Sequence, residues 1–199
     1  MEAQLRVPLE RLTDPALRRI GERILEGRRL DAPDARAAFA TSDLIGLGLL
    51  ADAVNRARNG DVVTFAANQH INPTNVCVLR TTCTFGGYAR LPKEEGAYRY
   101  SLEQVLAEAA AAANGVTREF HIVGGLDMQA GLAYYTAMFR ALKLNFPHVH
   151  IKALTAVEIA HIARIERMSW TDVLIALRDA GLDTMPGGGA ETFSAAVRE

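Results

Sequence analysis

From residue 61 onward, short runs of β-branched and aromatic residues alternate with longer stretches that have helical periodicity. Such alternation is typical of βα units, whose strands lie parallel in one sheet. The pattern predicts four strands, the last of them weaker: Val62–Ala66, Glu119–Val123, His150–Leu154 and Asp183–Met185. The fold class is therefore α/β with a parallel sheet.

The segments that separate these strands carry helix signals. Ser101 and Gln104 form a capping box, and Gly181 follows the last helix as a stop signal. Ser169 can cap that last helix. The predicted helices are Ser101–Ala113, Leu132–Asn145 and Thr171–Ala180.

Two further helices are predicted ahead of the first strand. One starts at Asp14-Pro15, and the other is capped by Ser42 and ends at Asn59-Gly60. The chain is thus divided into a helical segment, 1–60, and a βα segment, 61–199.

Right-handed βα units in series close into a barrel, but eight such units need about 250 residues. About four units in a chain of 199 residues predict a partial (β/α) barrel of the TIM type. The edges of a partial barrel are uncovered, which predicts self-association and leaves room for another chain to supply the remaining strands.

Charge and hydropathy exclude several kinds of partner. The formal net charge is -1, and Lys and Arg form no stripe, so nucleic acid is not expected. The chain contains no signal peptide and no run of 18 apolar residues, so it is expected to be cytoplasmic and to bind no membrane. A small-molecule substrate remains as the expected partner.

Reacting groups in parallel α/β folds lie in the loops that follow the carboxyl ends of the strands. These loops are predicted at 68–90, 124–129, 155–159 and 186–191. The two cysteines of the chain, Cys77 and Cys83, both lie in the first loop. In a reducing cytosol a close pair indicates metal or redox chemistry, although two thiols alone cannot close a zinc or iron–sulfur site.

Four motifs in these regions resemble, in order, segments of the aminofutalosine synthase family of radical S-adenosylmethionine (SAM) enzymes. They are HINPTNVC, EFHIVGGL, HIKALTAVEI and AGLDTMPGGGAETFS, and the likeness spans roughly residues 60 to 199. The resemblance identifies the chain as the N-terminal half of such a transferase, with a partial barrel of the radical SAM kind.

The resemblance also implies cofactors and a reaction. The cofactors are a 4Fe-4S cluster, held by three thiolates, and SAM bound at the open iron. An electron from the cluster cleaves SAM, and the 5'-deoxyadenosyl radical adds to a carboxyvinyl-oxybenzoate. The product is 6-amino-6-deoxyfutalosine, a precursor in menaquinone biosynthesis.

Within the first loop, Cys77 and Cys83 match the first two cluster cysteines of the family, and Phe85 matches the aromatic residue before the third. The third position is Gly86, which offers no ligand atom. The spacing between the two cysteines is also two residues longer than the common C-x3-C. The resemblance therefore implies a cluster loop that lacks one thiolate.

Three residues of the later loops are candidates for cofactor binding. Gly124 and Gly125 resemble the glycine pair that approaches the methionine end of SAM, and an ordinary strand-to-loop turn is the alternative. Glu158 could accept hydrogen bonds from ribose hydroxyls or from the substrate, although a helix-start glutamate would look the same. Glu191 is a weaker candidate of the same kind.

Two other functions remain open at this point. One is a truncated or degenerate, non-catalytic homologue that has lost its iron–sulfur cluster. The other is a zinc hydrolase, which would need His70 or the His148 and His150 pair as ligands. His148 and His150 fall at the amino end of the third strand, away from the expected site, which favours a structural role.

Overall fold

The computed structural model describes residues 6–83, 87–112, 115–188 and 194–198. The chain forms two compact units, divided between Phe65 and Ala66. No helix in these ranges has both the length and the apolar character needed to cross a bilayer.

The N-terminal unit contains a short 3-10 helix, Leu9–Arg11, and three α-helices. The α-helices are α1 (Pro15–Leu25), α2 (Ala32–Ala40) and α3 (Leu44–Asn59). Their apolar faces meet in a small core formed by Leu12, Leu17, Ile20 and Leu50.

The prediction of two N-terminal helices missed α2. Asp31 and Asp34 form the reciprocal capping box that starts this helix, with aspartate in place of the usual glutamate or glutamine at the fourth position. The cap of α3 is Asp43 rather than the predicted Ser42. Hydrogen bonds from Thr13 and from Gly46 N lower the pKa of Asp43 to about 2, so this cap is a carboxylate at neutral pH.

Among its described residues, the C-terminal unit carries a three-stranded parallel sheet in the order β1-β2-β3. The strands are β1 (Asn68–Ile71), β2 (Glu119–Ile122) and β3 (His150–Ala153). The helices are α4 (Leu102–Ala112), α5 (Leu132–Asn145), α6 (Ala156–Glu166), α7 (Trp170–Asp179) and α8 (Ala195–Arg198).

One face of this sheet is apolar and forms the core of the unit. Phe120, Ile122 and Ile151 are almost completely buried there, together with Met138 and Phe139 of α5. Ile71, Ile122 and Ala153 are register partners at the last position of each strand. The three strands therefore end level with one another, and the loops that follow leave from one edge of the sheet.

The first strand was predicted in the wrong place. Residues 62 to 66 are not a strand, and Val63 and Phe65 are 86% and 89% exposed. The preference of a residue for strands mostly reflects packing on a half-buried surface, and the exposed side chains of this run do not pack in that way. The strand instead lies at Asn68–Ile71, where Ile71 is buried, so residues assigned to a loop pair with β2.

The second and third strands were predicted to within one residue, but the fourth is reduced to an isolated bridge. Thr184 pairs with Lys152 of β3, and Ala153 N donates to Thr184 O at 3.0 Å. Pro186 follows two residues later and has no N–H to extend the ladder.

The helix predictions in this unit were largely correct. The structure confirms the capping box of Ser101 and Gln104 at the start of α4, the bounds of α5 and the Ser169 cap of α7. The predicted helices did not include α6, and residues 155–159 at its start were assigned to a loop. Thr155 and Glu158 form a capping box that begins the helix at Ala156.

Candidate functional site

The candidate site lies at the edge of the sheet where the three strands end. The segment after β1 carries both cysteines, the segment after β2 carries the glycine pair, and the segment after β3 leads to Glu158. The predicted loops therefore converge, because parallel strands that end level present their following loops together.

The backbone around the cysteines is fixed by turns. Arg80 N donates to Cys77 O at 3.1 Å, and Cys83 N donates to Leu79 O at 2.8 Å. Cys77 is half-buried and Cys83 is exposed, and both thiols are free. Cys77 N also donates to Arg90 O at 2.9 Å. The described part of the loop thus presents two thiols that form no disulfide, one of them open to solvent.

Residues 73–76, just ahead of Cys77, are held against the segment that follows the cysteine loop. Arg90 N donates to Asn75 O at 2.8 Å, and Tyr100 N donates to Pro73 O at 2.8 Å. The side chain of Asn75 accepts from Tyr98 N at 2.8 Å and donates to Gly96 O at 2.9 Å. These bonds fix the approach to Cys77 from one side.

A partly buried ion pair, in which the carboxylate is the buried partner, fixes the same segment to the loop after β2. Arg99 donates to both oxygens of Asp127, at 2.6 and 2.8 Å, and Thr74 donates to Asp127 Oδ2 at 3.1 Å. Asp127 and Thr74 are buried. Because a buried carboxylate that loses its partner is strongly destabilising, this arrangement constrains the position of Thr74. Asp127 and Arg99, which are 28 residues apart, were not predicted as a pair from the sequence.

The glycine pair lies against the cysteine loop. A Cβ on Gly125 would be 2.1 Å from Val76 O and 3.0 Å from Cys77 Cβ. A Cβ on Gly124 would be 2.9 Å from Thr74 O. Gly125 N donates to Thr74 O at 2.9 Å. The close packing of two backbone segments therefore explains why both positions are glycine. The contact with SAM that the resemblance implies stays a prediction.

Glu158 is a buried capping residue whose oxygens face backbone groups. One oxygen accepts from Gly124 N at 2.9 Å, and the other accepts from Thr155 N at 2.6 Å and Thr155 Oγ1 at 2.8 Å. Burial raises the pKa of Glu158, against the lowering effect of these hydrogen bonds. Glu158 thus links the ends of β2 and β3, as a helix-start glutamate, and its role in binding ribose or substrate stays a prediction.

We expect the stabilising contribution of Glu158 to decrease as the pH rises. At pH values just above 4.5, the ordinary pKa of the group, the folded state still keeps the proton on Glu158. The stabilising contribution is therefore complete below pH 4.5 and is lost as the pH rises through the raised folded-state pKa. Free energies of unfolding in urea, measured for the parent and Glu158→Gln upward from about pH 4.5, should show the parent losing stability relative to the variant.

Glu103→Gln is the matched control, because hydrogen bonding to Ser101 lowers the pKa of this exposed carboxyl. Its difference from the parent should be constant over the same pH range. A difference between the parent and Glu158→Gln that does not vary with pH would contradict the raised pKa of Glu158.

Several predicted site residues are outside the described ranges. Phe85, Gly86 and Glu191 belong to this group. The predictions about them therefore stay predictions.

One histidine is placed differently from the prediction, whereas His148 and His150 lie at the amino end of β3 as predicted. His70 lies on β1 rather than in the cysteine loop, and its ring centroid is 5.3 Å from that of His121 on β2. His150 contacts Thr184 Oγ1 at 2.7 Å, at the amino end of β3, and His148 is exposed. No group of three metal-ligating side chains occurs among the described residues.

One polar feature was missed entirely. His70, His121 and Lys152 are register partners across the three strands, on the face opposite the core. Desolvation, together with the charges of Lys152 and His70, lowers the pKa of His121, and Glu119 pairs with Lys152 at 2.6 Å. The polar–apolar alternation along each strand was the available signal, but β1 had been placed elsewhere.

The fold is shared with solved structures. Methylornithine synthase has a TM-score of 0.66 with this chain at 17% identity, over 90% of this chain and 49% of that one. The geometry and this likeness define the class as an α/β protein with a parallel sheet and a cysteine loop at the carboxyl edge of its strands. No family model matches the chain.

Proteins of similar sequence indicate the kind of protein more closely than the fold does. The aminodeoxyfutalosine synthase of Thermus thermophilus is 39% identical over 187 residues, 94% of this chain and 50% of that protein. The one from Streptomyces coelicolor is 40% identical over 92% of this chain and 46% of that protein. A 5-amino-6-(D-ribitylamino)uracil--L-tyrosine 4-hydroxyphenyl transferase of Nostoc punctiforme is 33% identical over 94% of this chain and 51% of that protein.

The chain is therefore similar to the aminodeoxyfutalosine synthases over nearly its whole length, as the four motifs indicated. It spans about half the length of these relatives, which fits the predicted N-terminal half.

Proposed function

We propose that this chain is the cysteine-loop half of a radical SAM protein of the aminodeoxyfutalosine synthase type. The observation that supports this best is the position of Cys77 and Cys83 at the carboxyl edge of a parallel sheet, in a chain about 40% identical to such synthases. For the whole protein, we propose addition of a 5'-deoxyadenosyl group from SAM to a carboxyvinyl-oxybenzoate in menaquinone biosynthesis.

The thiols do not by themselves meet the requirement of this chemistry. A cluster that binds SAM at one iron needs three protein ligands, whereas the sequence supplies two cysteines. The donor set is therefore one ligand short. This shortfall is the observation that favours the second candidate function, a non-catalytic homologue that keeps the fold without the cluster.

We further propose that the sheet belongs to a (β/α) barrel whose remaining units cover its open side. Thr184 already begins the pairing on the outer edge of β3. Beside it, a groove of about 600 Å³ is lined by Leu174, Ile175, Leu182 and Met185. A further βα unit, from the same or another chain, would bury these side chains.

The test of the proposed function is cleavage of SAM by a variant with three cysteines. Gly86→Cys, loaded with iron and sulfide without oxygen, should release 5'-deoxyadenosine when SAM and dithionite are added. The control is the double variant Cys77→Ala, Gly86→Cys, which has two thiols again and should release almost none. A fully loaded Gly86→Cys chain that leaves SAM intact would favour the non-catalytic alternative.

A further inference from the structure

The face of the sheet opposite the core carries two layers of polar side chains. The layer at the first position of the three strands is Asn68, Glu119 and His150. The layer at the third position, the polar row, is His70, His121 and Lys152. Bulky branched side chains normally fill such layers where a sheet of this kind lines the packed interior of a (β/α) barrel. Polar layers in their place indicate a face that contacts a polar ligand rather than a packed core.

The two imidazoles of the polar row have donors to offer a ligand. The ring centroids of His70 and His121 are 5.3 Å apart. Within the described parts of the chain, no hydrogen bond joins either ring to another residue. A neutral imidazole always has one N–H to donate. Because His70 is exposed and His121 is partly exposed, a ligand can reach both rings.

Lys152 adds a positive charge beside His121. Its Nζ lies 2.6 Å from Oε1 of Glu119, and its side chain is 27% exposed. An ammonium group carries three N–H donors, so this contact leaves others for a ligand. Desolvation, together with the charges of Lys152 and His70, lowers the pKa of His121 against the raising effect of Glu119. Glu119 therefore compensates the positive charge at the row only in part.

A carboxylate is the ligand group that matches this row. Its two oxygens can accept from donors on neighbouring strands, which lie about 4.8 Å apart. Hydrogen bonds to an ionised acceptor are also stronger than those between neutral groups. A metal cation is disfavoured by the charge of Lys152, and the described residues include no group of three metal-ligating side chains.

We propose that the polar row binds a carboxylate of the substrate, with the two imidazoles and the ammonium as hydrogen-bond donors. The naming of the substrate rests on the proposed function, in which the carboxyvinyl-oxybenzoate carries two carboxylates. The row lies one residue before the ends of the strands at Ile71, Ile122 and Ala153. A substrate held there by one carboxylate reaches toward the edge of the sheet from which the cysteine loop leaves.

The test is a proton NMR titration of the parent chain with benzene-1,3-dicarboxylate and, separately, with the uncharged benzene-1,3-dicarboxamide. The Cε1–H signals of the five histidines are followed and are assigned with His→Gln variants. Those of His70 and His121 should shift saturably with the diacid and stay in place with the diamide, and those of His148 and His161 should stay in place with both. Because a nearby negative charge favours the protonated imidazole, saturating diacid should also raise the pKa of His121.

Substitutions of lysine separate the row from general attraction of anions, with circular dichroism spectra used to confirm that each variant is folded. Lys152→Met should weaken diacid binding about tenfold or more, as expected for the loss of a hydrogen bond to a charged group. The double variant Glu119→Gln, Lys152→Met should weaken it as well, without leaving Glu119 unpaired. Lys143→Met is the matched control and should bind like the parent, because Lys143 is also 27% exposed and lies 2.6 Å from Asp183 Oδ2.

Three results would overturn the carboxylate site: no saturable shift in the parent, equal shifts with diacid and diamide, or equal weakening by Lys152→Met and Lys143→Met. The titration requires neither SAM nor iron, so its outcome is independent of the SAM-cleavage test of Gly86→Cys. Cleavage without diacid binding would overturn the carboxylate site alone. Diacid binding without cleavage would support the site and count against the proposed function.

Discussion

Gly125→Ala is expected to destabilise the C-terminal unit and to displace the cysteine loop. The new Cβ would lie 2.1 Å from Val76 O and 2.6 Å from Val76 C, so the two backbones must move apart. Overpacking of a buried contact typically costs about 1–3 kcal/mol, and a clash with backbone belongs at the upper end of that range. The hydrogen bond from Gly125 N to Thr74 O, 2.9 Å long, would be stretched as well.

The other glycines of the site provide a graded comparison. Gly124→Ala should cost less, because its Cβ would be 2.9 Å from Thr74 O. Gly87→Ala is the matched control, since a Cβ there would have no neighbour within 4 Å among the described residues. Urea unfolding of the three variants should give the order Gly125, Gly124, Gly87 from largest to smallest loss of stability. Equal stability of Gly125→Ala and Gly87→Ala would contradict the packing of the glycine pair on the loop.

Much of the helical structure was predictable because its signals are local. The capping residues of α4 and α7 and the apolar spacing of α5 lie within single segments, and the structure confirms all three. The two helices that were not predicted, α2 and α6, also have local capping boxes. They could have been recognised from Asp31 with Asp34 and from Thr155 with Glu158.

The position of β1 could not be obtained in the same way. The β-branched run at 62–65 has the stronger strand preference, yet the observed strand is Asn68–Ile71. A strand of four residues is defined by its partner, here through the pairing of His70 with His121 and of Ile71 with Ile122. The strand preference of one segment does not encode such non-local pairing. For this reason the row of His70, His121 and Lys152 across the three strands was missed.

The candidate site was predictable only in part, because some of its contacts also join residues that are far apart in sequence. The cysteines and the glycine pair were identified by their resemblance to a family and by their place after strands. What the glycines touch was not predictable, because Val76 and Gly125 are far apart in sequence and meet only when β1 and β2 pair. The Arg99–Asp127 pair depends on the same convergence of loops.

Gly86→Cys is expected to have the largest effect of any single substitution on cluster binding. It places a third thiol three residues after Cys83 and directly after Phe85, which restores the C-x2-C part of the family pattern. Since ligand thiolates determine whether an iron–sulfur cluster is retained, the variant should become brown and oxygen-sensitive on reconstitution. The parent, with two thiols, should retain little iron in a buffer without added thiol.

The iron and sulfide content per chain, compared between the parent and Gly86→Cys, tests most directly whether this is the cluster loop of a radical SAM protein. The parent and Gly86→Cys are prepared side by side without oxygen or added thiol, with Cys77→Ala, Gly86→Cys as the two-thiol control. We expect about four irons and four sulfides per chain in Gly86→Cys, as a 4Fe-4S cluster requires, and much less in the other two proteins. Equally low contents in all three proteins would contradict this expectation.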